Sequence, residues 1–477
     1  MTRSADAIVV GSGPNGLAAA LTLARAGIVV DVIEGADTPG GGCRSEELTL
    51  PGFRHDVCSA VHPLAAASPF FLGTDLAARG VTLRFPKVAF AHPLDGGRAA
   101  AVAGSVDETA GGLGADGGAY RRLLAPLVRE TPLTLPDILA PLRSVPGHPV
   151  AMARFGLDGL QPASMLARRF KTEEARALFA GVAAHSMLPL SAPLTSAFAL
   201  VLMMAAHTVG WPVVEGGSAR LTDAMVEELT SLGGRVETGR WIQSLDGLPP
   251  ARAVLLDVTP RQLAAIAGDR LPGWHRRALE RFRYGPGVCK VDWALSGPVP
   301  WTAAACREAG TVHLGGTLAE VAQSEAEANA GRLAERPYCI VTQPGVVDSS
   351  RAPAGCHTLW AYCHVPSGSA ADASAQIEAQ IERFAPGFRD LVLAKAVRTA
   401  AEMEQYNPNY VGGDINSGAG TLRQTFFRPT SRWNPYRTAL PGVYLCSAST
   451  PPGGGVHGMC GQGAARAALA DLGLSPA

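Results

Sequence analysis

The 477-residue chain carries 41 Lys and Arg residues against 41 Asp and Glu residues, so its formal net charge is zero. With 47% hydrophobic and 17% charged residues, it is too apolar for a disordered chain, and it lacks the basic surplus of nucleic-acid-binding proteins. The length predicts about three domain-sized units. Glycine is over-represented, with 55 residues or about 12% of the chain against a usual ~7%.

A dinucleotide-binding βαβ pattern opens the chain. Its parts are a strand (Ala7–Val10), a G-x-G-x-x-G motif (Gly11–Gly16), a helix (Leu17–Ala26), and a second strand (Ile28–Ile33) that ends at Glu34. Gly11 permits the tight turn, Gly13 lets a pyrophosphate approach the backbone, and Gly16 allows close packing of helix on strand. The helix N-terminus is suited to phosphates, and Glu34 to a ribose hydroxyl.

Two further glycine segments follow this pattern. In the first, Pro39–Glu47, three successive glycines allow close contact between backbone and ligand, and Arg44 is a candidate partner for a pyrophosphate. The second, Pro451–Gly461, lies between a predicted strand (Gly442–Ala448) and a predicted helix (Gln462–Leu472). It repeats G-x-G-x-x-G without a second βαβ unit, and it suits an uncharged ring carbonyl that becomes anionic on reduction.

The middle of the chain alternates between helical and strand patterns. Residues from about 110 to 206 predict a mainly helical region, and a helix follows Gly216-Gly217, with Ser218 as its cap and Gly233 at its end. The predicted strands are Val236–Thr238, Trp241–Leu245, Ala253–Val258, Val288–Ala294, Tyr338–Gln343 and His357–Val365, with one more helix near Ala375–Phe384.

Nine cysteines are scattered without a C-x-x-C pair, which argues against a disulfide framework, a zinc site and a dithiol relay. We expect no metal. The apolar run Leu194–Ala206 is too short to span a bilayer and predicts a buried helix or one that touches a membrane surface. A reducing, cytoplasmic setting is expected, with peripheral membrane contact as a further option.

The glycine-rich parts together resemble the phytoene-desaturase-like flavoproteins, in particular the carotenoid-ketolase and pyridine-nucleotide-disulfide-oxidoreductase-domain-2-like branch. The motifs that carry the resemblance are Val10–Leu17, the segment Pro39-Gly-Gly through Glu46-Glu47, and Ser449–Gly458. The resemblance runs essentially end to end. Related amine oxidases place an arginine directly after the glycine pair, where this chain has Gly42 and carries Arg44 two positions later.

This resemblance implies an α/β fold with a discontinuous, Rossmann-like FAD-binding domain, an α+β substrate domain and a helical subregion. The expected boundaries are 1–105, 207–287 and 426–477 for the FAD-binding domain, 106–206 for a helical substrate or lid region, and 288–425 for the substrate-domain sheet. FAD is the expected cofactor. Its predicted contacts are Gly11, Gly13, Pro14, Asn15, Gly16, Glu34, Gly41, Gly42, Arg44, Val236, Gly455, Gly458 and Met459.

The function that this resemblance implies is desaturation or oxidation of an apolar, isoprenoid-like or polyene-like substrate, with hydride transfer to flavin N5. Dioxygen, a quinone or another acceptor would take the electrons. The candidate catalytic residues are His457 in the last glycine segment, His62 after the second glycine segment, and Glu215 directly before Gly216. The two histidines are candidates because histidine exchanges protons at neutral pH. The alternatives are a flavin amine or amino-acid oxidase, disfavoured by the 6% aromatic content, and a non-catalytic prenyl-protein-binding relative of the fold. The sequence leaves the oligomeric state open.

Overall fold

The computed structural model describes residues 5–475. In chain order the strands are β1 (Ala7–Val10), β2 (Val30–Ile33), β3 (Ser45–Glu46), β4 (His55–Asp56), β5 (Leu83–Arg84), β6 (Val88–Leu94), β7 (Arg98–Ala103), β8 (Val213–Val214), β9 (Arg235–Glu237), β10 (Ala253–Leu256), β11 (Gly287–Leu295), β12 (Ala309–Leu314), β13 (Cys339–Thr342), β14 (His357–Val365), β15 (Val392–Arg398) and β16 (Val443–Leu445).

The α-helices lie between and after these strands. They are α1 (Pro14–Arg25), α2 (Pro63–Ala67), α3 (Pro69–Leu72), α4 (Val106–Gly112), α5 (Gly117–Ile138), α6 (Pro149–Gly159), α7 (Ala163–Leu166), α8 (Glu173–Ala183), α9 (Thr195–Val209), α10 (Ala219–Ser231), α11 (Pro260–Ala267), α12 (Gly273–Glu280), α13 (Ala304–Arg307), α14 (Leu318–Asn329), α15 (Ser374–Phe384), α16 (Ala400–Tyr406), α17 (Leu422–Phe427) and α18 (Met459–Asp471).

A five-stranded parallel sheet in the order β16-β10-β1-β2-β9 joins strands that are far apart in the sequence. Alternate residues of β1 enter two cores: Ala7 and Val9 pack with α1, α10 and α18, and Ile8 packs with α11 and α12. Because both faces are covered, the strand is apolar at every position. The carboxyl ends of β1, β2 and β10 meet at one edge, and the first glycine loop lies there.

A seven-stranded mixed sheet has the order β15-β11-β14-β13-β12-β6-β7, with β12 and β6 parallel and the other pairs antiparallel. One face packs on α15 through alternating side chains such as Val291 and Val341. The opposite face carries Ile340, Thr342, Trp360 and Tyr362, which line a cavity between this sheet and the glycine segments.

Strands β6 and β7 belong to the seven-stranded sheet although they precede its other strands by about 200 residues. Residues 88–103 were predicted to be part of the FAD-binding domain, but they pair in the seven-stranded sheet through β12. Because the pairing of β6 with β12 joins residues more than 200 positions apart, no local sequence pattern predicts it. The overall architecture agrees with the predicted class, a Rossmann-like unit with a second sheet and a helical subregion.

Helices α4 to α9 form the helical region and pack against the cavity side of the seven-stranded sheet. The predicted apolar run forms α9, whose Leu202 lines the cavity while Leu200 and Met203 are buried in the core. Among the helices that the structure describes in residues 5–475, none combines the length and the apolar character needed to cross a bilayer.

Two local predictions were wrong. Trp241–Leu245 is a loop because Gly239 turns the chain at φ +72°, and the Arg240 N–H then donates to Glu34 O at 2.9 Å, which carries the segment across the sheet edge. Ser218 precedes α10 without capping it, since its hydroxyl donates to Ser59 O at 2.7 Å.

Candidate functional site

The first glycine loop connects β1 to α1 at the carboxyl edge of the five-stranded sheet. Gly11 has a φ of +98°, which favours glycine, and its N–H donates to Ile33 O at 2.8 Å. A Cβ on Gly13 would lie 2.8 Å from Asp257 Oδ2. Gly13, Pro14 and Asn15 line the cavity, so the backbone of this loop and the N-terminus of α1 face that space.

Glu34 lies where β2 ends and is held by neighbouring donors. Its Oε2 accepts hydrogen bonds from Ser12 N–H at 2.8 Å and from the Ser12 hydroxyl at 2.6 Å, and its Oε1 accepts one from Ala36 N–H at 2.9 Å. Arg44 Nη2 lies 3.4 Å from the same Oε1 and donates to Thr38 O at 2.7 Å. Glu34 and Arg44 both line the cavity, so a carboxylate and a guanidinium lie side by side next to the first glycine loop.

The second glycine segment packs directly on the first. A Cβ on Gly41 would lie 2.9 Å from Gly13 Cα, and one on Gly42 would lie 2.8 Å from the Tyr410 hydroxyl. Gly41 and Gly42 both line the cavity. A side chain at Gly41 or Gly42 would therefore collide with its neighbours, which explains why glycine occupies both positions.

The C-terminal glycine segment leads into α18, which crosses α1 closely. A Cβ on Gly461 would lie 1.8 Å from Asn15 O, and one on Gly458 would lie 2.5 Å from the Phe70 ring. Gly455 lines the cavity, whereas Gly458 and Met459 are buried in the helix packing behind it. Of these three predicted cofactor contacts, only Gly455 faces the cavity.

One cavity of about 670 Å³ runs from the glycine segments to the seven-stranded sheet. Its nucleotide end is formed by the loop residues described above, together with Arg240, Trp241 and Asp257. Its inner end is apolar and aromatic. The residues there include His62, His185, Leu202, Trp211, Ile340, Thr342, Trp360 and Tyr362.

The residues at the nucleotide end fit an extended dinucleotide. Asn15 lines the cavity at the start of α1, where the free N–H groups of the helix N-terminus favour a phosphate. Glu34 offers a carboxylate at the end of β2, and the glycine backbone leaves a groove that side chains would fill. FAD is therefore compatible with this half of the cavity.

Of the predicted catalytic residues, only His62 lines the cavity. Its Nε2 lies 2.8 Å from the Ser218 hydroxyl, which itself donates to Ser59 O, so Nε2 is the donor. Nδ1 is left as an acceptor without a partner among residues 5–475. Burial lowers the pKa of His62 to about 4, so the imidazole is neutral at physiological pH.

His457 is enclosed within its own loop. Its Nε2 donates to Gly453 O at 3.1 Å, and its Nδ1 accepts from Met459 N–H at 3.1 Å. Burial lowers its pKa to about 4. Since both ring nitrogens are engaged and the side chain does not line the cavity, these contacts fit a role in holding the loop.

Three other predicted site residues lie away from the cavity. Glu215 forms an ion pair with Arg84 at 2.8 Å, and its side chain is 39% exposed at the surface. Val236 lies on the edge strand β9, and the following segment, residues 240–243, reaches the cavity instead. Gly16 is covered: a Cβ there would lie 2.1 Å from Gly11 O, so this glycine serves helix packing.

Asp257 was missed by the sequence analysis. It follows β10 directly, lines the cavity, and its Oδ2 accepts a hydrogen bond from Gly16 N–H at 2.9 Å. Burial, with a smaller contribution from Glu34, raises its pKa to about 7. The available signal was its position after a buried parallel strand, where ligand-contacting residues concentrate, but the predicted strand Ala253–Val258 included it.

Comparison with known proteins finds a nucleotide-binding domain and full-length relatives. Residues 9–69 match the NAD(P)-binding Rossmann-like domain. Pyridine nucleotide-disulfide oxidoreductase domain-containing protein 2 of Mus musculus is 25% identical, covering 98% of this chain and 94% of the mouse protein. Phytoene desaturase (lycopene-forming) of Pseudescherichia vulneris is 26% identical, covering 97% of this chain and 98% of that protein.

Solved structures show the same fold over almost the whole chain. Cyclohexylamine oxidase from Brevibacterium oxydans superposes with a TM-score of 0.62 at 16% identity, covering 99% of this chain and 100% of the oxidase. The chain therefore combines a Rossmann-like nucleotide-binding unit with the fold of this solved oxidase. Its homologues include pyridine nucleotide-disulfide oxidoreductase domain-containing protein 2 and phytoene desaturases, which confirms the resemblance predicted from the glycine segments.

Proposed function

We propose that this oxidoreductase removes two hydrogens from an apolar, uncharged substrate, isoprenoid-like or polyene-like, to form a double bond. The observation that carries this proposal is the cavity itself. Its inner end is lined by apolar and aromatic side chains, and within residues 5–475 the acidic side chains that line it, Glu34 and Asp257, both lie at the nucleotide end. An apolar substrate reaches the inner end without losing the hydration of a charge.

The chain's own residues would hold the cofactor at the nucleotide end. FAD, when bound, accepts a hydride equivalent from a substrate carbon. We propose that Gly11, Gly13, Pro14 and Asn15 bind its diphosphate and that Glu34 binds its ribose. Arg44 lies within the same stretch of cavity but shares its guanidinium with Glu34 and Thr38, so we propose that it orients Glu34 as well as contacting the cofactor.

His62 is the residue that we propose to handle the substrate proton. When a double bond forms, one carbon loses a hydride and the adjacent carbon loses a proton. His62 lines the cavity, its buried Nδ1 has no hydrogen-bond partner among residues 5–475, and the Ser218 hydroxyl holds the ring in orientation. A base with a pKa near 4 is adequate because a carbon next to an electron-deficient centre is strongly acidic.

We propose that the five-stranded unit binds the cofactor and that the seven-stranded sheet, with α4–α9, forms the substrate unit. The electrons would pass on to dioxygen, a quinone or another acceptor. Exposed apolar side chains on α6, Val150 (74% exposed) and Leu157 (76%), support a peripheral membrane contact.

Amine oxidation is the second candidate. The rings of Trp360 and Tyr362, with centroids 5.2 Å apart at 80°, both line the cavity, and aromatic faces attract cationic amines. The 6% aromatic content of the whole chain is therefore a weak argument against an amine oxidase. The lining charges favour a neutral substrate, because no carboxylate of the described chain lines the inner end. A non-catalytic binding protein is disfavoured by the complete nucleotide groove.

The test is anaerobic reduction of the bound flavin. Purified holoenzyme is mixed with polyenes, with isoprenoid alcohols and with primary amines, and flavin absorbance is followed. We expect bleaching by apolar substrates and none by amines. Bleaching by amines alone would refute the proposal in favour of the second candidate, and a protein that retains no FAD after reconstitution would refute both.

A further inference from the structure

The inner end of the cavity carries polar atoms that a pure hydrocarbon would leave without a partner. Thr342 on β13 and Trp360 on β14 are direct cross-strand partners, and both line the cavity. Thr342 Oγ1 and Trp360 Nε1 are buried, and neither has a hydrogen-bond partner among the residues that the structure describes. A buried polar atom without a partner is unfavourable, so these two atoms call for a ligand atom that forms hydrogen bonds.

His185 adds a third polar group to the same wall. It lines the cavity and is partly exposed to it, and its Nε2 lies 2.9 Å from Nε2 of the fully buried His313. One of these two nitrogens donates and the other accepts, so Nδ1 of His185 remains for a ligand. His313 lies on β12, which is separated from the Trp360 strand β14 by β13 alone. Its contact with His185 therefore places His185 close to the same sheet.

The charges around this end exclude an ionic group on the ligand. Burial lowers the pKa of His185 to about 3, so the ring is neutral. Lys290 lies 5.5 Å from the centroid of the Trp360 ring but is buried and ion-paired with Asp292. An ammonium or a carboxylate bound here would face no free counter-ion on the lining residues of the described chain.

We infer that the inner end binds an uncharged oxygen group, a hydroxyl or a carbonyl, carried by an otherwise apolar substrate. The Trp360 N–H donates to that oxygen, the Thr342 hydroxyl donates or accepts, and His185 supplies the third polar contact. The inference rests on the proposed function, which makes this cavity the substrate site, and it narrows the substrate class from hydrocarbons to apolar alcohols, aldehydes and ketones.

The test is anaerobic equilibrium binding of four probes to the holoenzyme by calorimetry: geraniol, geranylamine, geranic acid, and the hydrocarbon that lacks only the hydroxyl of geraniol. We expect geraniol to bind about tenfold tighter than the other three. Thr342→Val, which keeps the side-chain shape, should weaken geraniol binding by about fivefold to tenfold and leave hydrocarbon binding unchanged, since one hydrogen bond is lost. Trp360→Phe should act in the same direction.

Thr358→Val is the matched control. The Thr358 hydroxyl is also buried on β14 without a partner in the described chain, but it does not line the cavity. Flavin content of each variant reports its folding. Equal binding of geraniol and the hydrocarbon, or equal losses in the two valine variants, would overturn the inference. Flavin bleaching is read separately: selective binding supports the oxygen subsite, and bleaching decides whether the bound molecule is a substrate.

Discussion

Replacing Asp257 by Asn should stabilise the apoprotein at neutral and alkaline pH. The carboxyl group is buried beneath the first glycine loop, where Gly16 N–H donates to it and the nearby carboxylate of Glu34 repels its charge. The thiols of Cys446 and Cys460 also lie near it, and burial raises their pKa values, so they are neutral. Asn keeps an oxygen that accepts from Gly16 N–H and carries no charge.

The magnitude follows from the shift in the Asp257 pKa. Burial raises it from 3.8 to about 7, and each pKa unit corresponds to about 1.36 kcal/mol. Between pH 4 and pH 7 the unfolded chain has lost this proton while the folded protein still holds it, so rising pH destabilises the fold. At pH 8 the ionised carboxylate therefore costs the wild type about 4 kcal/mol, which Asp257→Asn removes.

Urea unfolding of both apoproteins from pH 4.5 to pH 8.5 measures this difference, since the other titrating groups are common to both. The variant should be the more stable protein, with the smallest difference in free energy of unfolding at pH 4.5 and a growing difference as pH rises toward 8. A variant that is less stable at every pH would refute the reasoning, because it would mean that the carboxylate is ionised and well satisfied in the fold.

Asp414→Asn is the contrasting control. Asp414 is also buried, and burial also raises its pKa, but its carboxyl accepts from the N–H groups of Gly285, Asn416 and Gly418. An Asn amide would turn a donor toward some of these donors, so this variant should lose stability across the whole pH range. If the two variants behave alike, the effect at Asp257 is a general response to amide substitution.

Three shorter predictions concern the rest of the site. Gly13→Val should abolish FAD retention, measured as the ratio of flavin to protein absorbance, whereas Gly111→Val, whose added Cβ meets no atom within 4 Å, should retain FAD. Glu215→Gln should leave flavin reduction unchanged, because Glu215 pairs with Arg84 in an exposed ion pair worth about 0–1 kcal/mol. His62 should stay neutral down to pH values near 4, because burial lowers its pKa. If the rate of anaerobic flavin reduction depends on an ionisation near pH 6.5, that dependence should therefore remain in His62→Gln. Loss of the dependence in the variant would show that His62 itself ionises near pH 6.5.

The sequence predicted the parts of the site that depend on local patterns. β1 has the predicted bounds, and Gly11, Gly13 and Glu34 lie together on the cavity, because a strand, a glycine turn and a helix form one contiguous supersecondary unit. The alternating pattern in the second sheet was equally reliable, since β14 spans His357–Val365 as predicted. Local spacing therefore predicted the opening βαβ unit and one strand of the seven-stranded sheet.

The remainder depends on contacts between distant residues. Asp257 meets Gly16 across 241 positions, and the glycine motif gives no sign that a carboxyl group lies beneath it. His457 was placed beside the ring by its loop, yet the short return from Gly453 to Met459 uses both of its nitrogens. A motif locates a loop on the fold, but the direction of a side chain is set by the hydrogen bonds that its neighbours offer.

The aromatic content of the whole chain says little about which substrate the cavity binds. A 6% share is an average over 477 residues, whereas the pairing of β13 with β14 and the position of Trp211 gather aromatic rings on one wall. Aromatic rings suit a polyene and an amine alike, so they do not separate the two. Charge separates them: within residues 5–475 the inner end of the cavity has two neutral histidines, a threonine and a tryptophan among its lining residues, and no carboxylate. An ammonium ion would lose its hydration there without gaining a counter-ion, and a neutral oxygen would gain hydrogen bonds.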